Sequence, residues 1–527
     1  MRYLSSNTAE VLIYSFRRPL VLFIIILSLS LPAAASLGFS TTDVKDESRK
    51  LVKEADRLIR KGKLDEAQKL LKQAIEVAGT DSFPKLKLAQ LYVKQRRLIE
   101  AYELAFPIAK AEPKNSYAFA VLGMTMLGAG HFRDSRALFI SSIMNSRRQA
   151  LGWAGLGMLD FYENRIDESL ANLEQAVYYD PSQADYLFAY AQVSARAEKY
   201  KAAADAYLRF LAVANDTDDE RRARIKGLIS FLNYLGNRPS LYATAGADKT
   251  TVPITLTGNR PLIKLKINNR ELPLNFVLDT GSGISVISDE TAKRLGIDSI
   301  TKGGYAKGIG GDGRFEIVYG FLKEVQIGEV EVRNVPVYIR RFHNDTQPVD
   351  GYIGLSLISK FLTTLDYGDL TFSLTKTTTL PSERDQGSTI ALPLRLTSSG
   401  FLSGEVQLGG VEAPLNFILD TGASVSVISD EVASLDAISP FITEEKMRVI
   451  GSAGVTDGVV SFRLPSVTFG SHSRKDVTAI ALDLNMINEA SGFQQAGILG
   501  GNFLKNYRMT FDFKNSKVTF FPVSIDQ

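Results

Sequence analysis

The sequence predicts a multidomain chain: an α-solenoid of paired helices followed by an all-β double lobe. Three observations predict it. From about Arg49 to Ala214, small residues recur every 34 positions on a helical pattern. Near Asn237 that pattern stops, and short β-rich runs with glycine turns take over. Beyond it one 18-residue sentence is written twice, as PLNFVLDTGSGISVISDE from Pro273 to Glu290 and as PLNFILDTGASVSVISDE from Pro414 to Glu431. The expected order is a signal peptide or membrane anchor over 1–35, a helical domain with a capping helix over 46–236, a linker over 237–251, and lobes over 252–378 and 388–525.

Length and composition set outer bounds. The 527 residues, at roughly 100–200 per domain, leave room for several cores. A formal charge of +3, from 61 basic and 58 acidic residues, supplies no basic field, so no nucleic-acid partner is expected. The absence of cysteine excludes disulfides, thiolate metal sites and a cysteine nucleophile. Three scattered histidines, His131, His343 and His472, argue against a Ser-His-Asp triad or a zinc cluster. No cofactor and no metal are expected, and the available chemistry narrows to carboxylates.

The amino terminus has the order of a secretory signal: Arg17-Arg18, an apolar run from Pro19 to Pro32, then Ala33-Ala34-Ala35. Cleavage is expected near Ala35. The long segment ahead of the run keeps an uncleaved anchor open, although the run is shorter than the ~20 residues that span a bilayer. Either form implies export to a periplasmic or other extracytoplasmic location, anchored at the inner membrane in the second case. A cysteine-free chain fits an oxidising compartment without requiring one.

The helical region is in strict register. Ala55, Ala89, Gly123, Gly157 and Ala191 each follow the last by 34 residues; so do Leu64, Leu98, Phe132, Ile166 and Tyr200, which enter the second helix of each pair, and Ala67, Ala101, Ser135, Ser169 and Ala203 one turn on. Small residues at two positions of the cycle let paired helices approach closely, and Pro113 and Pro181 stop helices at matching points. This region resembles the tetratricopeptide repeat family over about 165 residues. Asp218 to Leu235 reads as a further helix with Ile225, Leu228, Ile229 and Leu232 on one face, suited to capping an open solenoid end. Such a stack offers a surface for a peptide, a protein partner or self-association; a spacer is the alternative.

In the β region each copy of the repeated sentence brings an aspartate, Asp279 or Asp420, from an apolar strand to a tight glycine turn, and a second apolar strand leaves it. The repetition extends further. Gly351-Tyr352-Ile353-Gly354 matches Gly497-Ile498-Leu499-Gly500, and Leu365-Asp366-Tyr367 matches Phe511-Asp512-Phe513, with a shift of 146. Between these landmarks lie two glycine-rich segments, Gly308-Ile309-Gly310-Gly311 and Ile450-Gly451-Ser452, suited to hairpins that close over a bound peptide. Asp366 and Asp512 are expected to be structural.

A D-T-G-[AS] turn, a glycine-rich flap and a later apolar-apolar-Gly segment, all twice and in order, make each half similar to a retropepsin-type aspartic protease domain, over roughly Val252 to Val523. The resemblance implies a closed β fold with two lobes around a cleft, pepsin-like in connectivity but with short lobes like the retroviral and bacterial members. It implies Asp279 and Asp420 as acid and base. It also implies that Thr280 and Thr421 lock the turns together. Gly281 and Gly422 give those turns backbone freedom and room for substrate. Ser282 is expected to hydrogen-bond an aspartate edge, which Ala423 cannot do. The physical reason for the pair stands independently: two adjacent carboxylates share a proton, so one can deprotonate water while the other holds the scissile carbonyl.

Two functions follow as alternatives: an exported endopeptidase acting on a peptide or protein substrate, with repeats that recruit substrate or partner, or a non-catalytic envelope adaptor that binds peptides. Pairing of lobes between chains is a third arrangement, made less favourable by the short inter-lobe segment near Thr375 to Ser388.

Overall fold

The computed structural model describes residues 41–214, 218–343, 349–376 and 390–523. The expected export segment lies outside them. The described residues form two compact units, one holding the helices up to Gly152 and one running from Trp153 through both lobes.

The first unit is built of antiparallel helix pairs: α1 (Thr41–Arg60) with α2 (Leu64–Ala78), α3 (Phe83–Lys94) with α4 (Leu98–Ala111), and α5 (Ser116–Gly128) with α6 (Phe132–Asn145). Leu64, Leu98 and Phe132 open the second helices, as the 34-residue register predicts. Ala55, Ala67, Ala89 and Ala101 are completely buried, because each lies where two helices touch. At Gly123 a β-carbon would stand 2.6 Å from the Phe139 ring, so only glycine permits the approach.

Helix α7 (Ala150–Tyr162) leads into the second unit, which continues with α8 (Ile166–Tyr179), α9 (Ala184–Arg196), α10 (Tyr200–Val213) and α11 (Asp219–Gly236). The register persists: Ser169 donates its hydroxyl to the carbonyl of Gly157 at 2.7 Å across the α7–α8 contact. Helix α11 is capped by Asp218, whose carboxylate accepts from the Arg221 N–H at 2.8 Å.

Helix α11 does more than close the solenoid. Its other side lies on the first lobe, where Phe231 stacks on Tyr319 with ring centroids 4.3 Å apart and Tyr234 meets Phe321 edge-on. Helices α7 and α9 contact the second lobe. Arg196 donates to the carbonyls of Thr397 and Ser398 at 2.9 and 3.1 Å, with its guanidinium stacked on Phe161. Apolar rings and a buried cation thus tie these repeats to both lobes.

The first lobe comprises β1 (Ala243–Gly246), β2 (Lys249–Pro253), β3 (Thr255–Thr257), β4 (Arg260–Ile267), β5 (Leu274–Leu278), β6 (Val286–Ser288), β7 (Thr301–Lys307), β8 (Arg314–Ile327), β9 (Val330–Arg340), β10 (Gly351–Ile353), β11 (Phe361–Asp366) and β12 (Thr371–Lys376). The stretch 237–251, read as a linker, carries β1 and the start of β2. These pair with β9 and β12, so the sheet begins earlier than the sequence expectation. Strands of four and five residues give little periodic signal.

The second lobe comprises β13 (Ile390–Pro393), β14 (Arg395–Leu396), β15 (Leu402–Leu408), β16 (Leu415–Leu419), β17 (Ser426–Ser429), β18 (Ile442–Ile450), β19 (Val455–Phe469), β20 (His472–Leu482), β21 (Gly497–Leu499), β22 (Tyr507–Asp512) and β23 (Lys517–Pro522). Its main sheet runs β14-β15-β16-β21-β17-β20-β19-β18, and β15 also pairs with β19, which closes the sheet on itself. The first lobe repeats this order as β4-β5-β10-β6-β9, with β8 pairing both β9 and β4. A six-stranded sheet, β13-β23-β22-β11-β12-β2, joins the lobes within one chain.

The Gly-x-x-Gly landmarks have a packing cause. A β-carbon on Gly351 would lie 2.2 Å from the Phe276 ring, and one on Gly497 2.2 Å from the Phe417 ring. Each of these phenylalanines is buried on the strand that delivers an aspartate. The α-solenoid followed by an all-β double lobe is thus the observed architecture.

Candidate active site

Strands β5 and β16 end at Asp279 and Asp420, and the turns after them interlock. The Thr280 N–H donates to the Thr421 hydroxyl oxygen at 3.1 Å, and the Thr421 N–H donates to the Thr280 hydroxyl oxygen at 3.0 Å. The two hydroxyls donate in turn to carbonyls of the opposite strand, Thr280 to Leu419 at 2.6 Å and Thr421 to Leu278 at 2.7 Å. Both threonines are buried. This reciprocal set fixes the two aspartates in a two-fold arrangement, in the positions that the threonine expectation requires.

The glycines of the turns face the opposite carboxylates. A β-carbon on Gly281 would stand 2.4 Å from the carboxyl carbon of Asp420, and one on Gly422 would stand 2.6 Å from Oδ1 of Asp279. Any side chain at either position would occupy the space of the carboxylate itself.

The two aspartates differ in their backbone donors. Asp279 Oδ1 accepts from the Gly281 N–H at 2.9 Å. Asp420 Oδ1 accepts from both Gly422 at 2.7 Å and Ala423 at 3.1 Å. Burial raises the pKa of Asp279 well above the usual carboxylate range, and the neighbouring Asp420 raises it further. Burial raises Asp420 as well, but the hydrogen bond from Asp279 and the two backbone N–H groups oppose it. Asp420 thus has the backbone donors that suit a carboxylate, and the two side chains titrate as one coupled pair.

The expectation for Ser282 is corrected by this geometry. Its hydroxyl donates to the Ile284 carbonyl at 2.9 Å rather than to an aspartate. The asymmetry between the halves comes from the backbone instead, since the turn at Ala423 aims its N–H at Asp420. A backbone direction of this kind leaves no mark on side-chain identity.

Above the dyad stand two hairpin tips, between β7 and β8 and between β18 and β19. Gly308, Ile309, Gly310 and Gly311 form the first, and Ile450, Gly451 and Ser452 belong to the second. The tips touch: the Ala453 N–H donates to the Ile309 carbonyl at 2.9 Å, and the Gly311 N–H to that of Val455 at 3.3 Å. A β-carbon on Gly310 would meet the Gly454 carbonyl oxygen at 2.2 Å, and one on Gly451 the Ile309 carbonyl oxygen at 2.2 Å. The Ile309 side chain packs on the apolar cluster of the second lobe around Ile418, Val427 and Ile480, while Ile450 is exposed.

Tips and dyad enclose one cavity of about 1280 Å³. Its lining holds residues that the sequence reading did not single out: Arg260, Arg340 and Leu482 from the lobes, and Phe188, Arg221 and Arg224 from α9 and α11. The lobe residues leave a faint trace in the internal repeat, because Arg260 aligns with Phe401 at the 141-residue shift. The helical ones leave none, since only the fold brings repeats and lobes together. Asp366 and Asp512 lie away from the cavity lining and accept from nearby backbone N–H groups of Gly368 and Asn515.

A family model described as aspartyl protease matches residues 263–357 and 404–503 of the chain, and one described as tetratricopeptide repeat matches residues 58–140. No curated protein matches. Among solved structures the chain is similar to a thermophilic tetratricopeptide repeat protein of Thermus thermophilus, at 18% identity over 34% of this chain and 98% of that one, with a TM-score of 0.30. It is also similar to an aspartic proteinase from Irpex lacteus, at 14% identity over 53% of this chain and 98% of that one, with a TM-score of 0.36. A third, MamA from Desulfovibrio magneticus RS-1, has 17% identity over 33% of this chain and 98% of that one, with a TM-score of 0.23.

Proposed function

We infer the function from the premise that the chain carries a tetratricopeptide repeat region followed by a doubled aspartyl protease region: it is an aspartic-type endopeptidase that hydrolyses peptide bonds with the Asp279/Asp420 dyad. One observation carries this reading. Two interlocked turns hold both carboxylates at the floor of a single cavity beneath two flap tips.

In the proposed reaction Asp420, charged and held by the Gly422 and Ala423 N–H groups, takes a proton from a water molecule as its oxygen attacks the scissile carbonyl carbon. Asp279, carrying the proton, hydrogen-bonds the carbonyl oxygen and stabilises the charge that develops there. Collapse of the tetrahedral oxyanion breaks the C–N bond, and Asp420 passes its newly gained proton to the leaving amine. The flap tips exclude bulk water.

The repeats contribute to the same site in this reading. Phe188 of α9 and Arg221 and Arg224 of α11 line the cavity, which supports a role for the last repeat and the capping helix in reading substrate beyond the scissile bond. Recruitment of a protein partner is proposed for the remaining repeats. Export is proposed from Arg17-Arg18, the apolar run and Ala33 to Ala35.

The test is a peptide-library assay across acidic to neutral pH with the chain lacking its first 35 residues, beside Asp279→Asn and Asp420→Asn. Loss of cleavage in each variant supports one shared dyad. Activity surviving either change overturns it, and a folded chain that cuts nothing under any condition favours the adaptor.

A further inference from the structure

Arg340 ends β9 in the wall of the catalytic cavity, beside Asp279. Its guanidinium lies between two rings, with its central carbon 5.3 Å from the Phe315 centroid and 5.6 Å from that of Phe342. Its Nε is buried without a hydrogen-bond partner, and among the described residues the guanidinium meets no carboxylate within ion-pair distance. Arg260, in the same cavity, differs: its Nε donates to the Thr257 carbonyl at 3.2 Å. Asp279 attracts Arg340 across the cavity but makes neither a hydrogen bond nor an ion pair with it. A largely desolvated cation without a bonded anion is costly, and this one lines the space that a substrate would fill.

The internal symmetry sharpens the point. In the first lobe Arg340 pairs with Ser288 across the parallel β6–β9 ladder; in the second, Leu482 pairs with Ser429 across β17–β20. Ser288 and Ser429 hold the same place in the repeated sentence, so Arg340 and Leu482 are two-fold equivalents on opposite sides of the dyad. Beside Leu482 the cavity is lined by Met486, Ile487 and Ile480. An extended peptide lying across the dyad puts the residues flanking its scissile bond on these two unlike sides.

We propose that Arg340 is a specificity-determining residue that selects peptides with a Glu or Asp side chain on one side of the scissile bond, while the Leu482 side takes an apolar residue. The inference rests on the endopeptidase reading. A substrate carboxylate supplies the acceptor the guanidinium lacks, in the bidentate geometry that arginine favours, and the flanking rings keep water from competing. A neutral isostere leaves the cation unpaired.

The experiment uses the full chain, purified in mild detergent, and paired fluorescent peptides that differ only by Glu or Gln at each position near the bond cut in a library. Wild type is expected to prefer one Glu peptide by about ten- to a hundredfold in kcat/KM. Arg340→Met and Arg340→Gln are expected to bring that ratio close to one, and Arg340→Lys to restore part of it. Equal cleavage of the Glu and Gln forms by wild type, or a ratio unmoved in both variants while the pH profile shifts, overturns the proposal. Binding of the same peptides by fluorescence anisotropy separates the two readings: absence of turnover counts against the endopeptidase, and equal binding of Glu and Gln forms counts against the role of Arg340.

Discussion

Gly281 and Asp420 occupy one another's space: a single methyl on the glycine would fall 2.4 Å from the aspartate's carboxyl carbon. The mirrored relation, Gly422 against Asp279, makes the two turns a mutual mould. The catalytic reading therefore depends on backbone atoms as much as on carboxylates.

Gly281→Ala is expected to push Asp420 from its two backbone donors. Overpacking of this kind costs about 1–3 kcal/mol, and loss of the dyad geometry is expected to lower kcat by about a hundredfold or more. Peptide cleavage and thermal unfolding, measured together, check both effects.

Thr280→Val removes a hydroxyl that accepts from Thr421 and donates to Leu419, leaving two buried polar groups without partners. Each costs about 1–3 kcal/mol. The same change at Thr421 is expected to cost a similar amount. The double variant is expected to cost less than the sum, because the first substitution already breaks the shared set. Urea unfolding of the single and double variants measures the coupling.

The dyad also sets a pH dependence. In the endopeptidase reading the pair works with one proton, so kcat/KM is expected to follow a bell, falling in acid as the pair gains a second proton and in base as it loses its last. For stability the sign follows from Asp279, whose pKa is raised in the folded chain. Its contribution is fully present below the ordinary carboxylate value of about 4 and is lost as pH rises through the raised value. Asp279→Asn is expected to flatten that decline, and Tm measured against pH for both proteins tests it.

Gly227 brings α11 onto the base of the first flap, with a β-carbon there falling 2.2 Å from the Lys302 carbonyl oxygen. Gly227→Ala is expected to loosen the contact at a cost of about 1–3 kcal/mol. A faster hydrogen exchange in 301–307 than in the second flap strand, 442–450, is the expected signature.

Much of this architecture is written in local pattern. The 34-residue register placed Leu64, Leu98, Phe132, Ile166 and Tyr200 at the head of their helices, because a helix pair reports its packing through small and large residues at fixed spacing. The doubled sentence located both aspartates, and the Gly-x-x-Gly landmarks marked where Phe276 and Phe417 pack. Strand β1 and the start of β2 escaped notice, since runs of four and five residues are too short to show a period.

Sequence alone was enough for the inventory: five repeats, two lobes, two aspartates and two flaps, each encoded by residues near one another in the chain. Tertiary structure alone decided their inequality. Asp420 gains a second backbone donor, Ile309 packs inward while Ile450 does not, and Arg340 faces the cavity opposite Leu482. It also decided that the last repeats wall the site. These are relations between segments far apart in sequence, set by backbone direction and by what each side chain meets, and two near-identical sentences acquire different surroundings only when the chain closes on itself.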